Sequence, residues 1–541
     1  MHELTADGIT GLSEHRSYDA TPPWAGSGRV IVLANREPFR HEHGPGGEIV
    51  VKRSTSGLVT ASEPLVQKSG GVWIAHGSGT ADRLVVDAWD GVMVPPEDPA
   101  YRLRRVWLNA AEEEGYYYGF ANEGLWPLCH RAHVRPRFRS TDFDTYWTIN
   151  ARFAEAACDE AQSEPPLVLV QDYHFALAPL MIRQQLPSST IVAFWHIPWP
   201  AAEHLDMCPW AAYLVEGMLG STLLGFQTRK DCTHFLDSAE RLLGAAIDRK
   251  RQVVAHAGRR TCVRTYPASV QWPSSWLPEI GSVDACAREI RRRFNLRESD
   301  RLVVGIDRMD YTKGIEEKVL CIEQLLEQCP EFIDSLVFVQ AAEPSRARLA
   351  PYRDLRARVL ALVDRVNRRF ATAAWRPVHL VEEHEEPREV YRLLRAAEVC
   401  YVGSLHDGMN LVGKEFVSAR DDERGVLVLS AFAGASEELT DAVIVNPYDV
   451  EQTANALARA LTMSAAEQQH RMRLMRARVK AWDADRWGTR ILEDAANLRS
   501  APASEPLYRS AQEEEQFGDV YVGPATAPRS EETTVTTRSI A

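Results

Sequence analysis

The chain has 541 residues, 45% of them hydrophobic, and a formal net charge of −13. That length and apolar content can bury more than one core. The acidic balance argues against a surface built for nucleic acid, although arginines gathered in a cleft still make a local positive field. The nine cysteines form no CxxC pair and have no histidine at zinc-ligand spacing, so no metal site is expected, and the thiols read as reduced ones in a cytoplasm. No window reaches the roughly 20 apolar residues of a membrane span, and the acidic N-terminus lacks the apolar stretch of a secretory signal. The expectation is a cytoplasmic protein without a membrane partner.

Residues 1–28 are polar, dotted with Gly and Pro, and read as a disordered lead. Beyond them, short apolar runs alternate with amphipathic stretches. RVIVLAN, GGVWIAHG, PLVLVQDY, STIVAFWHIP and LLGFQT occupy the first half; RLVVGIDRMD, SLVFVQAAEP, PVHLVEE, VCYVGSL, GVLVLSAF and AVIVNPYD occupy the second. Continuous β-branched runs bounded by turn residues suit parallel strands buried on both faces. GYYYGF reads as a packing stripe. PREVYRLLRAAEVC puts Val390, Leu393, Leu394 and Ala397 on one helical face, with Pro387 in the first turn. Asp449 and Gln452 make a capping box ahead of the next apolar stretch.

This alternation predicts an α/β protein with right-handed crossovers, in two series that meet near residues 267–282. The expected organisation is a doubly wound N-terminal domain over 29–272 and a second over 273–481, facing a central cleft. A helix over about 482–500 packs back on the first domain. The tail over 502–541, rich in Ser, Thr, Glu and Pro, is expected to be disordered.

In doubly wound sheets, ligands bind beyond the carboxyl ends of strands, where helix N-termini also point. Polar residues directly after an apolar run are therefore the candidates. They are Asn35 and Arg36, Asp172 and His174, His196, Arg308, Asp310 and Lys313, Arg346, and then Asp407, Asn410 and Glu415. Three arginines and a lysine at strand ends suit more than one phosphate, and the carboxylates among them can accept hydrogen bonds from sugar hydroxyls. Taken singly, Asp310 reads as a turn residue holding its own loop and His174 as a core histidine supporting Asp172. The co-location of the set is what points to a site. There is no GxxxxGK[ST] loop, no GxGxxG after the first strand and no GxSxG elbow, which disfavours P-loop, simple dehydrogenase and hydrolase readings.

The motifs ANR, SGL, YYYGFANEGLWPLCH, VQDYH, FWHIPWP, LLGFQT, DRMDYTKG, HDGMNLVGKEF, LSAFAGASEEL and IVNPYD resemble those of the trehalose-6-phosphate synthase family, over about Val30 to Trp487. The resemblance implies the GT-B fold, with two Rossmann-like domains. It also implies retaining transfer of glucose from a nucleoside diphosphate glucose to glucose 6-phosphate, without a metal, another cofactor or a protein nucleophile. By the same resemblance Arg308 and Lys313 grip the donor diphosphate. The run Asp407, Gly408, Met409, Asn410, Leu411 and Val412 holds the donor glucose and diphosphate, Glu415 the ribose, and Gly57 a mobile loop over the donor. His196 stands near the donor sugar and the reacting centre. Arg36, Tyr117, Trp126 and Arg346 surround the acceptor, with Asp172 near its reacting hydroxyl. Arg308, Lys313, His196 and Asp172 are thus the candidate catalytic residues.

The resemblance is imperfect at Ser56, where the family has a glycine, at His76 in place of tryptophan, at His406 in place of arginine, and in a lengthened segment from Glu37 to Thr55. A transferase using another phosphorylated acceptor, such as glycerol 3-phosphate, and a catalytically silent sugar-phosphate sensor are the alternatives. The donor base and a homo-oligomer stay open.

Overall fold

The computed structural model describes residues 29–54, 57–161 and 165–500. The lead (1–28), the tail (502–541) and Ser56 therefore lie outside the described residues. The first half contributes β1 (Val30–Leu33), β2 (Phe39–His43), β3 (Ile49–Arg53), β4 (Val72–His76), β5 (Gly91–Val94), β6 (Tyr101–Val106), β7 (Leu167–Gln171), β8 (Thr190–Trp195), β9 (Leu223–Phe226), β10 (Ala246–Asp248), β11 (Val253–His256) and β12 (Arg259–Thr265). The second half contributes β13 (Arg301–Met309), β14 (Leu336–Pro344), β15 (Val378–Val381), β16 (Val399–Val402), β17 (Val426–Ser430) and β18 (Val443–Val445).

The apolar runs read from the sequence are the parallel strands. One sheet runs in the order β10-β11-β12-β9-β8-β7-β1-β4-β6-β5, with antiparallel pairs only toward its edges. The other runs β15-β14-β13-β16-β17-β18 and is wholly parallel. Helices cover the sheets, and each sheet has its own hydrophobic core. In the first sheet β1 leads outward to β4 and β6 on one side, while β7, β8 and β9 continue on the other. In the second, β14 and β15 lie to one side of β13, and β16, β17 and β18 to the other. The strand order thus reverses at β1/β7 and at β13/β16. These are the two points where diverging loops leave a crevice for a ligand.

The lengthened segment after β1 is not a loop but the β2–β3 hairpin. It is pinned by a buried charge cluster: Arg105 on β6 pairs with Glu37 and with Asp82 (2.9 Å) and donates to the Phe39 carbonyl (2.9 Å), while Asp82 accepts the His41 N–H (2.8 Å). GYYYGF, read as packing, lies in a π-helix over Glu114–Leu125, entered through a capping box between Asn109 and Glu112. Wide helical turns of this kind are rare and recur at functional sites. At the helix Val450–Leu461, Asp449 caps the Gln452 N–H (2.9 Å) as expected, but Gln452 returns its side chain to the Asn446 N–H (3.3 Å) and leaves the box half made.

The chain crosses between the sheets through Tyr266–Val270, which is tied down from both sides. Lys414 donates to the Ala268 carbonyl (2.8 Å) and pairs with Glu438. Trp482 donates to the Pro267 carbonyl (2.7 Å) and Trp487 to that of Tyr266 (3.1 Å). The last helix, Ala484–Ser500, returns to the first sheet, where Asp494 accepts from the Tyr266 hydroxyl (2.6 Å) and Trp487 meets Phe194 edge-on. No helix among the described residues is long and apolar enough to cross a membrane.

Candidate active site

The carboxyl ends of the two sheets face each other. At the first reversal, β1 leads into Asn35 and Arg36, and Asn35 accepts from the Tyr116 hydroxyl (3.0 Å). Arg36 is exposed to water. Its protein surroundings and the charges of Arg308 and Arg346 pull the guanidinium below its ordinary value. Just after the neighbouring strand β7, Asp172 takes a left-handed backbone (φ 72°), a conformation that costs a non-glycine residue about 1–3 kcal/mol and clusters at functional sites. One Asp172 oxygen accepts from the backbone N–H of Tyr173 (2.9 Å) and of His196 (3.2 Å). Burial nevertheless outweighs these bonds and the charge of Arg346, raising the carboxyl to about 6. His196, after β8, bonds Gln171 through Nε2 (2.8 Å) and is kept neutral by burial, at about 3.

The π-helix delivers the aromatic wall. Tyr117 stacks on His174 (5.7 Å between centroids, 8° between planes); burial pushes its phenol up, but the cations of Arg346 and Arg36 outweigh this and lower it. Trp126 follows at the end of the same helix, its indole N–H buried without a partner among the described residues. Two guanidiniums from the second sheet lie over this ring: Arg346 at 4.0 Å and Arg308 at 5.5 Å from the centroid. One indole from the first sheet therefore carries both arginines of the second.

At the second reversal, Arg308 is the penultimate residue of β13 and Lys313 ends the short turn Tyr311–Lys313. The loop after β16 carries Asp407, whose Oδ2 accepts from Lys313 (2.5 Å), Ser404 (3.2 Å) and Asn410 (3.3 Å). Burial would raise the Asp407 carboxyl, but the Lys313 charge prevails and holds it at about 2. Asn410, also left-handed (φ 76°), caps the helix Leu411–Ala419 by accepting from the Gly413 N–H (3.1 Å). Its amide is thus used inside the turn, while Leu411 and Val412 keep first-turn N–H groups that have no partner within the helix. Met409 faces the core. Glu415 is half-buried on the same helix, and desolvation raises its carboxyl to about 7.

Gly408 touches the opposite half. A Cβ there would stand 2.3 Å from the His196 carbonyl oxygen, so only glycine lets this turn close on the first sheet. Gly57 opens the helix Gly57–Ser69, after the hairpin.

One sequence reading is corrected and another is extended. His174 does not hold Asp172: its Nε2 is buried without a hydrogen-bond partner among the described residues. Asp310 does cap its own turn, through Thr312 (3.1 Å to N), but its second oxygen accepts from Arg346 (3.1 Å). Sequence reasoning also missed Tyr173, whose hydroxyl accepts from Arg346 across the cleft (3.2 Å), and Tyr352, which bonds the same arginine (2.7 Å). The tyrosine inside VQDYH was a signal for the first; nothing local marked the second. Of the departures, His406 is half-buried and neutral, lowered to about 4 by burial and by the nearby Arg131, and His76 bonds the Val106 carbonyl (3.2 Å).

Comparison with known proteins gives a consistent answer. The trehalose-6-phosphate synthase of Mycobacterium sp. (strain JLS) is 37% identical over 491 residues, spanning 88% of this chain and 98% of its own. An α,α-trehalose-phosphate synthase (UDP-forming) from Burkholderia xenovorans, solved in complex with glucose-6-phosphate, superposes with a TM-score of 0.75 at 32% identity, over 86% of this chain and all of that one. The E. coli trehalose-6-phosphate enzyme bound with UDP-2-fluoro glucose gives 0.77 at 28% identity, over 88% and 99%. The two doubly wound layers are the GT-B fold of these structures. The model of glycosyltransferase family 20 matches residues 28–497, and the chain belongs to that family.

Proposed function

We propose that this enzyme transfers glucose from UDP-glucose to glucose 6-phosphate with retention at the anomeric carbon, giving trehalose 6-phosphate, and that it works in the cytoplasm. The observation that carries the reading is the shared indole of Trp126, with Arg308 and Arg346 stacked over it at 5.5 and 4.0 Å. A donor diphosphate on Arg308 and an acceptor phosphate on Arg346 would lie on one aromatic platform, so the two sugars meet between them.

Binding begins with exchange of partners. Lys313 is paired with Asp407 (2.5 Å), and an arriving diphosphate competes for the ammonium. Asp407, released from it, becomes an acceptor for the hydroxyls of the donor glucose. Arg308, Lys313 and the first-turn amides of Leu411–Ala419 then oppose the charge that builds on the departing diphosphate. In a reaction without a covalent intermediate, fixed charges and dipoles of this kind give the transition state its main stabilisation. Arg36, Tyr117 and Arg346 hold the acceptor phosphate, and Asp172 receives a hydrogen bond from the acceptor hydroxyl that attacks. The leaving phosphate accepts that hydroxyl's proton. Neutral His196 places no second cation at the reacting carbon. Holding both sugars in this geometry supplies much of the remaining acceleration, and the halves on either side of Tyr266–Val270 close over them.

A matrix of UDP-, ADP- and GDP-glucose against glucose 6-phosphate, fructose 6-phosphate and glycerol 3-phosphate tests the assignment. The expected outcome is the highest kcat/KM for UDP-glucose with glucose 6-phosphate. A clear preference for glycerol 3-phosphate would reassign the acceptor, and no transfer with any pair would remove the reading altogether.

A further inference from the structure

The second oxygen of Asp310 has a use that a turn residue does not need. Asp310 lies between Arg308 and Lys313 and is wholly buried. Its Oδ1 accepts from the Thr312 N–H (3.1 Å) and hydroxyl (3.0 Å), and so shapes the turn that ends in Lys313. Its Oδ2 accepts from Arg346 Nη1 (3.1 Å) and from the Tyr352 hydroxyl (3.4 Å), and that hydroxyl in turn accepts from Arg346 Nη1 (2.7 Å). An asparagine caps such a turn as well as an aspartate does; only an aspartate also has an acceptor for the arginine.

Arg346 needs that support. Its backbone is left-handed (φ 45°), its Nε is buried without a partner among the described residues, and its other nitrogen reaches across the cleft to Tyr173 (3.2 Å). Burial opposes ionisation of Asp310, but Arg346, Arg308 and Lys313 outweigh it and hold the carboxyl below its ordinary value. The carboxylate is therefore charged and shared between the turn of the donor lysine and the arm of the acceptor arginine.

We propose that Asp310 is a positioning residue that couples the two substrate sites, so that donor binding at the Lys313 turn strengthens acceptor binding at Arg346, and the reverse. Movement of the turn toward a diphosphate shifts Oδ1, and the rigid carboxylate carries Oδ2 and the guanidinium with it. Linkage requires the effect to be reciprocal: UDP must raise the affinity for glucose 6-phosphate by the same factor as glucose 6-phosphate raises that for UDP. The proposal rests on the assignment of Lys313 to donor and Arg346 to acceptor.

The test is calorimetric titration of the full chain with UDP and with glucose 6-phosphate, each alone and in the presence of the other, together with steady-state kinetics. Wild-type protein is expected to show mutual tightening. Asp310→Asn keeps the cap through its carbonyl oxygen and loses the acceptor for Arg346. It is expected to raise the acceptor KM by roughly ten- to a hundredfold, the scale of one lost charge-assisted hydrogen bond, with UDP affinity alone near wild type and the mutual tightening abolished. A residue that only stabilised the fold would move both KM values and the melting temperature together. Equal losses at both sites, or tightening that survives the substitution, would overturn the coupling. If Asp310→Asn does not fold, Tyr352→Phe removes one of the two links and is expected to raise the acceptor KM alone; an unchanged value overturns the proposal. Wild-type protein that binds neither ligand would instead refute the proposed function.

Discussion

Replacing Arg308 by alanine is expected to lower kcat by roughly a thousandfold, about 4 kcal/mol of transition-state stabilisation, with little change in melting temperature. The guanidinium leaves from the end of β13, where its described contact is with the face of Trp126, so the core of the second sheet is untouched. On the proposed function, what disappears is a fixed cation at the point where the departing diphosphate gathers charge. A lysine recovers only part of the rate, because a point charge cannot reproduce the planar fork on two phosphate oxygens. Stopped-flow or coupled release of nucleoside diphosphate measures the effect, and a variant within tenfold of wild type would exclude Arg308 from the leaving-group site.

Gly408→Ala is expected to cost roughly a hundredfold in kcat/KM for the donor. The added methyl meets the His196 carbonyl at 2.3 Å, and neither partner is a flexible side-chain end. The turn must therefore retreat by about an ångström, enough to misalign the donor sugar it is proposed to hold by the usual scale of such displacements. Gly413→Ala provides the contrast. It lies five residues on in the same segment, but its nearest neighbours stand at 3.5 Å or more, in ordinary contact, and alanine suits a helix interior better than glycine. Donor kinetics of the two variants side by side separate a close approach from a general sensitivity of the loop; equal behaviour of both would contradict the argument.

Most of the fold was legible because parallel strands buried on both faces leave continuous apolar runs, such as VIVL, LVLVQ and VLVLS. The strand Tyr101–Val106 was not, because three arginines at positions 102, 104 and 105 break its run; in the structure they pair with Asp87, Asp159, Glu160, Asp82 and Glu37, partners scattered along the chain. The hairpin after β1 was hidden for the same reason, since its anchor, Arg105, is more than fifty residues from β2. Among the candidate site residues, strand-end position pointed to Arg36, Asp172, His196, Arg308 and Arg346. The π-helix was invisible to a 3.6-residue period, so Tyr117 and Trp126 came from resemblance alone. Asp310 was read from its immediate neighbours, which account for one of its oxygens; the other is satisfied by Arg346, thirty-six residues away. Local pattern reports what a residue does for its own segment, and a site shared by two sheets is made of what residues do for others.

The anomeric configuration of the product tests retaining transfer to glucose 6-phosphate most directly. Incubation of the full chain with UDP-[13C]glucose and glucose 6-phosphate, followed by NMR of the isolated disaccharide phosphate, is expected to give two α-configured anomeric signals joined through a 1,1 linkage, with no reducing end. A β-configured labelled residue, a reducing disaccharide, or label released only as free glucose would contradict the account.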